Sequence, residues 1–185
     1  MLLVVCTGNI CRSPLAEAFL RRALSTKLGV RSPQVRSAGT IARDGSPARE
    51  ETLEVGAQHG VDLSQFRTTA LTAGLIRGTD LVVGMAGEHR EEVAHLVPEA
   101  AARTFTLKEL VRLLEAIPVG GDRAARVAAA HAARAGGFDG NPHDEDVADP
   151  LGLSIDAFRA VAWELEDWSL RLADALEPVP AASEA

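Results

Sequence analysis

The sequence predicts an α/β fold in three layers, with a parallel sheet covered by helices on both faces. Three observations lead there. Unbroken apolar runs stand at residues 2–5 and 81–83, and less apolar strand candidates at residues 35–38 and 103–105; continuous apolar runs are what buried parallel strands show. Segments with apolar residues at helical spacing lie between them, and that alternation builds βαβ units. The chain has 185 residues, which suits one domain with a substantial core.

The elements follow in order. After the first strand, Ser13-Pro14 opens a helix, because proline fits a first turn where its missing N–H costs nothing. Leu15, Ala16, Ala18, Phe19, Ala23 and Leu24 give that helix an apolar stripe, and Gly29 is its stop. Gly39 ends the second strand, and residues 41–46 form a loop containing Asp44-Gly45. Pro47 is expected to start a helix reaching about His59, with Gly60 after it. Residues 71–76 suggest a short helix, and residues 88–96 another. Thr106 is placed to cap a helix over residues 107–116.

Residues 118–146 read as a helical insertion, in which the alanine-rich stretch 122–134 forms a surface helix. Residues 141–149 are acidic and loop-like. A long amphipathic helix over residues 155–176 closes a single domain of residues 1–176, and residues 177–185 form a tail. Trp163 and Trp168 lie five apart on that last helix and point in different directions, so at least one belongs in the core. Met85 ends a strand and is expected to pack. His59, His89, His95, His131 and His143 lack metal-ligand spacing and are expected at the surface or as caps.

Composition narrows the function. A net charge of -7 argues against nucleic acid or an anionic membrane as partner. No apolar run approaches the ~20 residues of a membrane span, and the N-terminus lacks the basic start of a signal peptide. Two cysteines make no disulfide framework, and with four residues between them and no partner pair nearby they make no zinc site. The expectation is a cytoplasmic protein in a reducing compartment, without metal or cofactor.

One loop carries the chemistry. Cys6-Thr7-Gly8-Asn9-Ile10-Cys11-Arg12-Ser13 places a thiol and a guanidinium at its two ends, between a strand and a helix. Ligands bind at the carboxyl ends of parallel strands. A tight turn over residues 7–12 can point its N–H groups inward as an anion nest, helped by Gly8 and Asn9, which tolerate left-handed angles. The following helix adds its positive end. Arg12 offers a planar fork for two phosphate oxygens. The same surroundings, with a hydroxyl from Ser13, favour the Cys6 thiolate as nucleophile. Loss of an alkoxide or phenoxide also needs a proton. Asp139, Asp144, Glu145, Asp146 and Asp149 lie in one segment that can supply it, and Pro150 fixes the backbone beside Asp149.

Residues 5–14 resemble the signature loop of the low-molecular-weight protein tyrosine phosphatases. Ser37-Ala38-Gly39-Thr40, residues 80–85, Phe105-Thr106-Leu107 and Asp149-Pro150 extend the resemblance over most of the chain outside residues 118–146 and the tail. It implies a four-stranded parallel sheet flanked by helices and a phosphorylated protein as substrate. It implies Cys6 as nucleophile, Arg12 as phosphate ligand and Asp149 as general acid. It further implies phosphate binding by residues 7–13, namely Thr7, Gly8, Asn9, Ile10, Cys11, Arg12 and Ser13. Asn9, Ser13 and Ser37 would support the loop, and Cys11 would form a protective, reversible disulfide with Cys6.

The chain also departs from the pattern. It contains no tyrosine, and Leu151 follows the Asp-Pro pair where an aromatic residue is usual. The other substrate wall falls to Ile41 in a loop without aromatics. Phe66 stands where some relatives carry a loop-bracing histidine. A related subgroup that acts on phosphoarginine carries threonine at the position of Ile10; a branched apolar side chain there suits a flat ring better than a guanidinium. Arsenate reduction, a third reaction on this fold, needs cysteines beyond the two present.

Overall fold

Four parallel strands form one sheet in the order β2-β1-β3-β4: β1 is Leu2–Cys6, β2 Val35–Gly39, β3 Leu81–Gly84 and β4 Thr104–Thr106. The structure is a computed structural model that describes residues 1–137 and 141–178. Asp139 and the tail residues 179–185 therefore lie outside the described residues. β1 pairs with β2 on one side (Leu2 with Val35, Cys6 with Gly39) and with β3 on the other (Leu2 with Leu81). The strand order reverses beside β1, so the loop leaving β1 opens at the crevice where such sheets bind ligands.

Alternation along β1 makes the layers. Leu2 and Val4 face a core shared with α1 (Arg12–Leu28), α5 (Leu107–Ala116) and α7 (Ile155–Leu176), where Phe19, Leu110 and Leu165 are fully buried. Leu3 and Val5 face the opposite layer, formed by Ile76 of α3 (Ala73–Arg77), Val93 of α4 (Gly87–Leu96) and Ala100. With both faces covered, β1 is buried from end to end. No helix among the described residues is long and apolar enough to cross a membrane.

Several boundaries differ from expectation. α2 covers Glu50–Gln58, not residues 47–59. The Arg49 N–H is committed to the Ile10 carbonyl (3.0 Å), and Arg49 stays extended. α3 begins after Thr72, whose hydroxyl accepts the Leu75 N–H, because the Leu71 N–H bonds the Gly39 carbonyl. Thr106 ends β4 and also caps α5, in a reciprocal capping box with Glu109.

The alanine-rich helix, α6 (Arg123–Ala133), is not simply a surface element. Val127 and Ala130 are buried, and so is Arg126. The Arg126 guanidinium donates to the carbonyls of Leu114 (2.9 Å) in the last turn of α5, Ala175 (2.5 Å) in the last turn of α7, and Pro118 (3.0 Å) in the connection after α5. The first two are among the orphan carbonyls that helix C-termini leave unpaired. Neither tryptophan is fully in the core: Trp163 is 68% exposed, while Trp168 is half-buried against it. Met85 is fully buried and packs, as expected.

Candidate active site

The loop leaving β1 is held from outside by main-chain bonds. The carbonyls of Cys6, Thr7 and Ile10 accept the N–H groups of Thr40, Ile41 and Arg49, each at 3.0 Å. Gly39 makes this approach possible: a Cβ there would sit 2.6 Å from the Thr7 carbonyl oxygen and 2.8 Å from the Asn9 nitrogen. Asn9 takes the left-handed region (φ 53°) and Gly8 does not, so the expectation of a shared left-handed turn narrows to Asn9.

Asn9 is also the hub of the interior. It is fully buried, and its Nδ2 donates to Ser13 Oγ and Ser37 Oγ, both at 2.8 Å. Its Oδ1 accepts the Thr69 N–H at 2.8 Å. This main-chain donor supplies a brace without histidine. Ser37 in turn donates to the Glu17 carboxylate. Because Ser13 Oγ accepts from Asn9, its own hydrogen is free for Cys6 Sγ, 2.9 Å away. The Asn9 N–H reaches the same sulfur at 3.3 Å. Asn9→Ala is expected to lower stability by about 2–4 kcal/mol, from strain and three lost bonds. The drop should appear as an earlier urea midpoint together with slower turnover.

Arg12 completes the other end. Its Nη1 donates to the Val147 carbonyl (3.1 Å) and its Nη2 to Thr7 Oγ1 (3.2 Å) and Asp149 Oδ2 (2.5 Å). The Val147 N–H bonds the Met85 carbonyl, which ties the acidic loop to the end of β3. Asp149 Oδ1 accepts the Leu151 N–H at 3.1 Å, and the Asp149 side chain is 43% exposed at the mouth. The other carboxylates of this segment have different surroundings. Asp146 receives the Gly87 N–H at the start of α4, Glu145 pairs with Arg112, and Asp144 is exposed.

The result is a cleft of about 360 Å³ with Cys6 and Arg12 within it and Ile10, Ile41, Leu151 and Arg43 around it. Ile41 and Leu151 are 76% and 52% exposed, two apolar walls without a covering aromatic. Cys6 and Cys11 are both free thiols. Burial pushes Cys11 up to about 11, against the lowering effect of the Thr52 hydroxyl. No group of three or more His, Cys, Asp or Glu among the described residues could hold a metal ion.

The histidines need correction. His89 is buried, with Nε2 3.0 Å from Thr7 Oγ1. His59 is wedged against Phe19 and Trp163 and bonds Glu166 at 2.6 Å. Glu17, Thr69, Val147 and His89 were not singled out from the sequence as site residues. Thr69, Val147 and His89 meet the loop and Arg12 from distant segments, and Glu17 acts one step out, through Ser37; only the tight Gly39 approach had a trace there, in the Ser37-Ala38-Gly39-Thr40 motif.

Residues 1–118 match the family model for low molecular weight phosphotyrosine protein phosphatase. The chain is 44% identical to the probable low molecular weight protein-tyrosine-phosphatase EpsP of Ralstonia solanacearum, over 59% of this chain and 71% of that one. It is 33% identical to a protein-arginine-phosphatase of Geobacillus stearothermophilus over 95% of both chains. The crystal structure of the Erwinia amylovora tyrosine phosphatase AmsI superposes with a TM-score of 0.71 at 29% identity, covering 94% of this chain and 91% of that one. The sheet order, the loop and these likenesses together place the chain in the low molecular weight phosphotyrosine protein phosphatase family.

Proposed function

We propose that this protein removes phosphate from phosphotyrosine in proteins, through a cysteinyl-phosphate. One observation carries the reading. At the carboxyl end of β1 the Cys6 sulfur collects the Ser13 hydroxyl and the Asn9 N–H, while Arg12 joins Asp149 across the mouth above it. In the first step Cys6 Sγ attacks phosphorus and the bond to the tyrosyl oxygen breaks. Asp149 gives its proton to that oxygen. In the second step Asp149 takes a proton from water, the hydroxyl attacks phosphorus, and the S–P bond breaks to return the thiolate. Residues 7–13 cradle the phosphoryl oxygens, and Arg12 follows their charge through both displacements.

Asn9, Ser13 and Ser37 hold the loop. Cys11 serves as the resolving thiol that protects Cys6 from over-oxidation; being buried and held as a thiol, it does not compete as nucleophile. A reducing cytoplasm suits two free thiols.

The preference for an aryl substrate rests on the walls. Ile10, Ile41 and Leu151 offer apolar contact to a ring, and Arg43 stands at the rim where a guanidinium would meet like charge. The arginine-phosphatase relative makes phosphoarginine the second reading. Purified protein compared on phosphotyrosine and phosphoarginine peptides should favour phosphotyrosine by at least about tenfold in kcat/KM, the equivalent of ~1.4 kcal/mol. Faster phosphoarginine turnover would replace the first reading with the second.

A further inference from the structure

His89 is a buried titratable group for which the mechanism above has no task. It is 1% exposed, and its ring lies at the start of α4 with its Cβ close under β3, where a Cβ at Gly84 would come within 3.1 Å of it. Its Nε2 meets Thr7 Oγ1 at 3.0 Å; the exposed Glu88 Oε1 stands farther off, 3.4 Å from both, and the same threonine oxygen accepts the Arg12 Nη2–H at 3.2 Å. Its Nδ1 has no hydrogen-bond partner among the described residues. A ring needed for packing alone would be better apolar, because an unpaired polar atom in a dry pocket costs stability.

The task is visible from what else holds Arg12. Nη1 is fixed by the Val147 carbonyl, a main-chain group tied to β3. Nη2 has two partners, Thr7 Oγ1 and Asp149. Asp149 is half exposed, and in the proposed reaction it must leave Arg12 to serve the leaving oxygen. Thr7 is then the remaining anchor for Nη2, and a threonine hydroxyl stays in place only if its rotamer is held. We propose that His89 is a positioning residue: it fixes the Thr7 hydroxyl, and through it the plane of the Arg12 guanidinium that receives the phosphoryl group. The inference rests on the reading of Arg12 as the phosphate-binding fork.

The charge state of the ring fits that task. Burial, then the charge of Arg12 on α1, push His89 down to about 4. Glu88 beside it on α4, and Asp146 and Asp149 on the loop before α7, act in the opposite direction. At neutral pH the ring therefore adds no second cation beside the fork.

Four variants and one titration test this. His89→Phe keeps an aromatic ring but removes the polar nitrogens, and His89→Gln returns a polar group of similar reach. His89→Phe is expected to lower kcat/KM about tenfold and to weaken inhibition by inorganic phosphate by a similar factor, with His89→Gln recovering most of both. Thr7→Val should lose about as much as His89→Phe, and the double variant no more than either, since both break one relay. Undiminished phosphate inhibition in folded His89→Phe overturns the proposal, as do losses that multiply in the double variant. Should His89→Phe fail to fold, the wild-type protein still decides. Its His89 ring nitrogen signals should shift as inorganic phosphate saturates the site, and Thr7→Val should suppress the shift. Ring signals that stay unchanged at saturation overturn the relay. Absence of aryl phosphate turnover in the wild-type protein would instead strike the phosphatase reading, because the phosphate titration does not depend on turnover.

Discussion

Replacing Cys6 with serine is expected to slow aryl phosphate turnover by at least about 10⁴-fold, the scale seen when a nucleophile is removed, while inorganic phosphate still binds. The geometry explains the size. The hydrogen-bond partners of the sulfur are the Ser13 hydroxyl and the Asn9 N–H, and neither is a base that could take the proton from a serine hydroxyl. A thiol can ionise unaided; a serine hydroxyl cannot. The phosphate cradle and Arg12 are untouched by the change, so binding should survive. Steady-state kinetics with an aryl phosphate and calorimetric titration with phosphate separate the two effects. A serine variant with near-normal turnover would rule out the covalent route.

Replacing Asp149 with alanine should slow the reaction by about 10²–10⁴-fold, the usual contribution of a positioned proton donor. The loss should be largest for phenols that leave poorly and small for those that leave well. A second signature follows from the resting structure, where Asp149 occupies Arg12 Nη2 at 2.5 Å. Removing the carboxylate removes a competitor, so inorganic phosphate should inhibit the alanine variant more strongly than the native protein. A uniform, small slowing across leaving groups would point to a different acid.

How much of this could be read from the chain depends on how local each contact is. Cys6 to Ser13 was legible because strand, loop, guanidinium and helix start follow one another within a few residues, and their chemistry needs that spacing. The sheet was legible because buried parallel strands leave apolar runs, as in Leu81-Val82-Val83. Asp149 emerged among several carboxylates through its pairing with Pro150 and the family motif; its contact with Arg12 spans 137 residues and leaves no local mark. Separations of 20, 60 and 82 residues likewise hid Glu17 behind Ser37, Thr69 behind Asn9 and His89 behind Thr7. The start of α2 was misplaced for a related reason: Pro47 permits a helix, but the Arg49 N–H finds a better partner in the loop. In α6 the alanines dominated the pattern and concealed one buried arginine.

That arginine changes how the molecule tolerates being cut. By composition, the stretch around α6 is where a protein engineer would trim, graft a tag or open new termini. Arg126 instead acts as a rivet, joining the end of α5, the connection after it and the end of α7 through three carbonyls. A graft that shifts α6 by a single turn would leave a charge in the interior with nothing to hold, and would loosen the last turn of α7, the helix that shares its core with α1 and α5. The segment that looks most disposable is therefore a poor place to sever the chain.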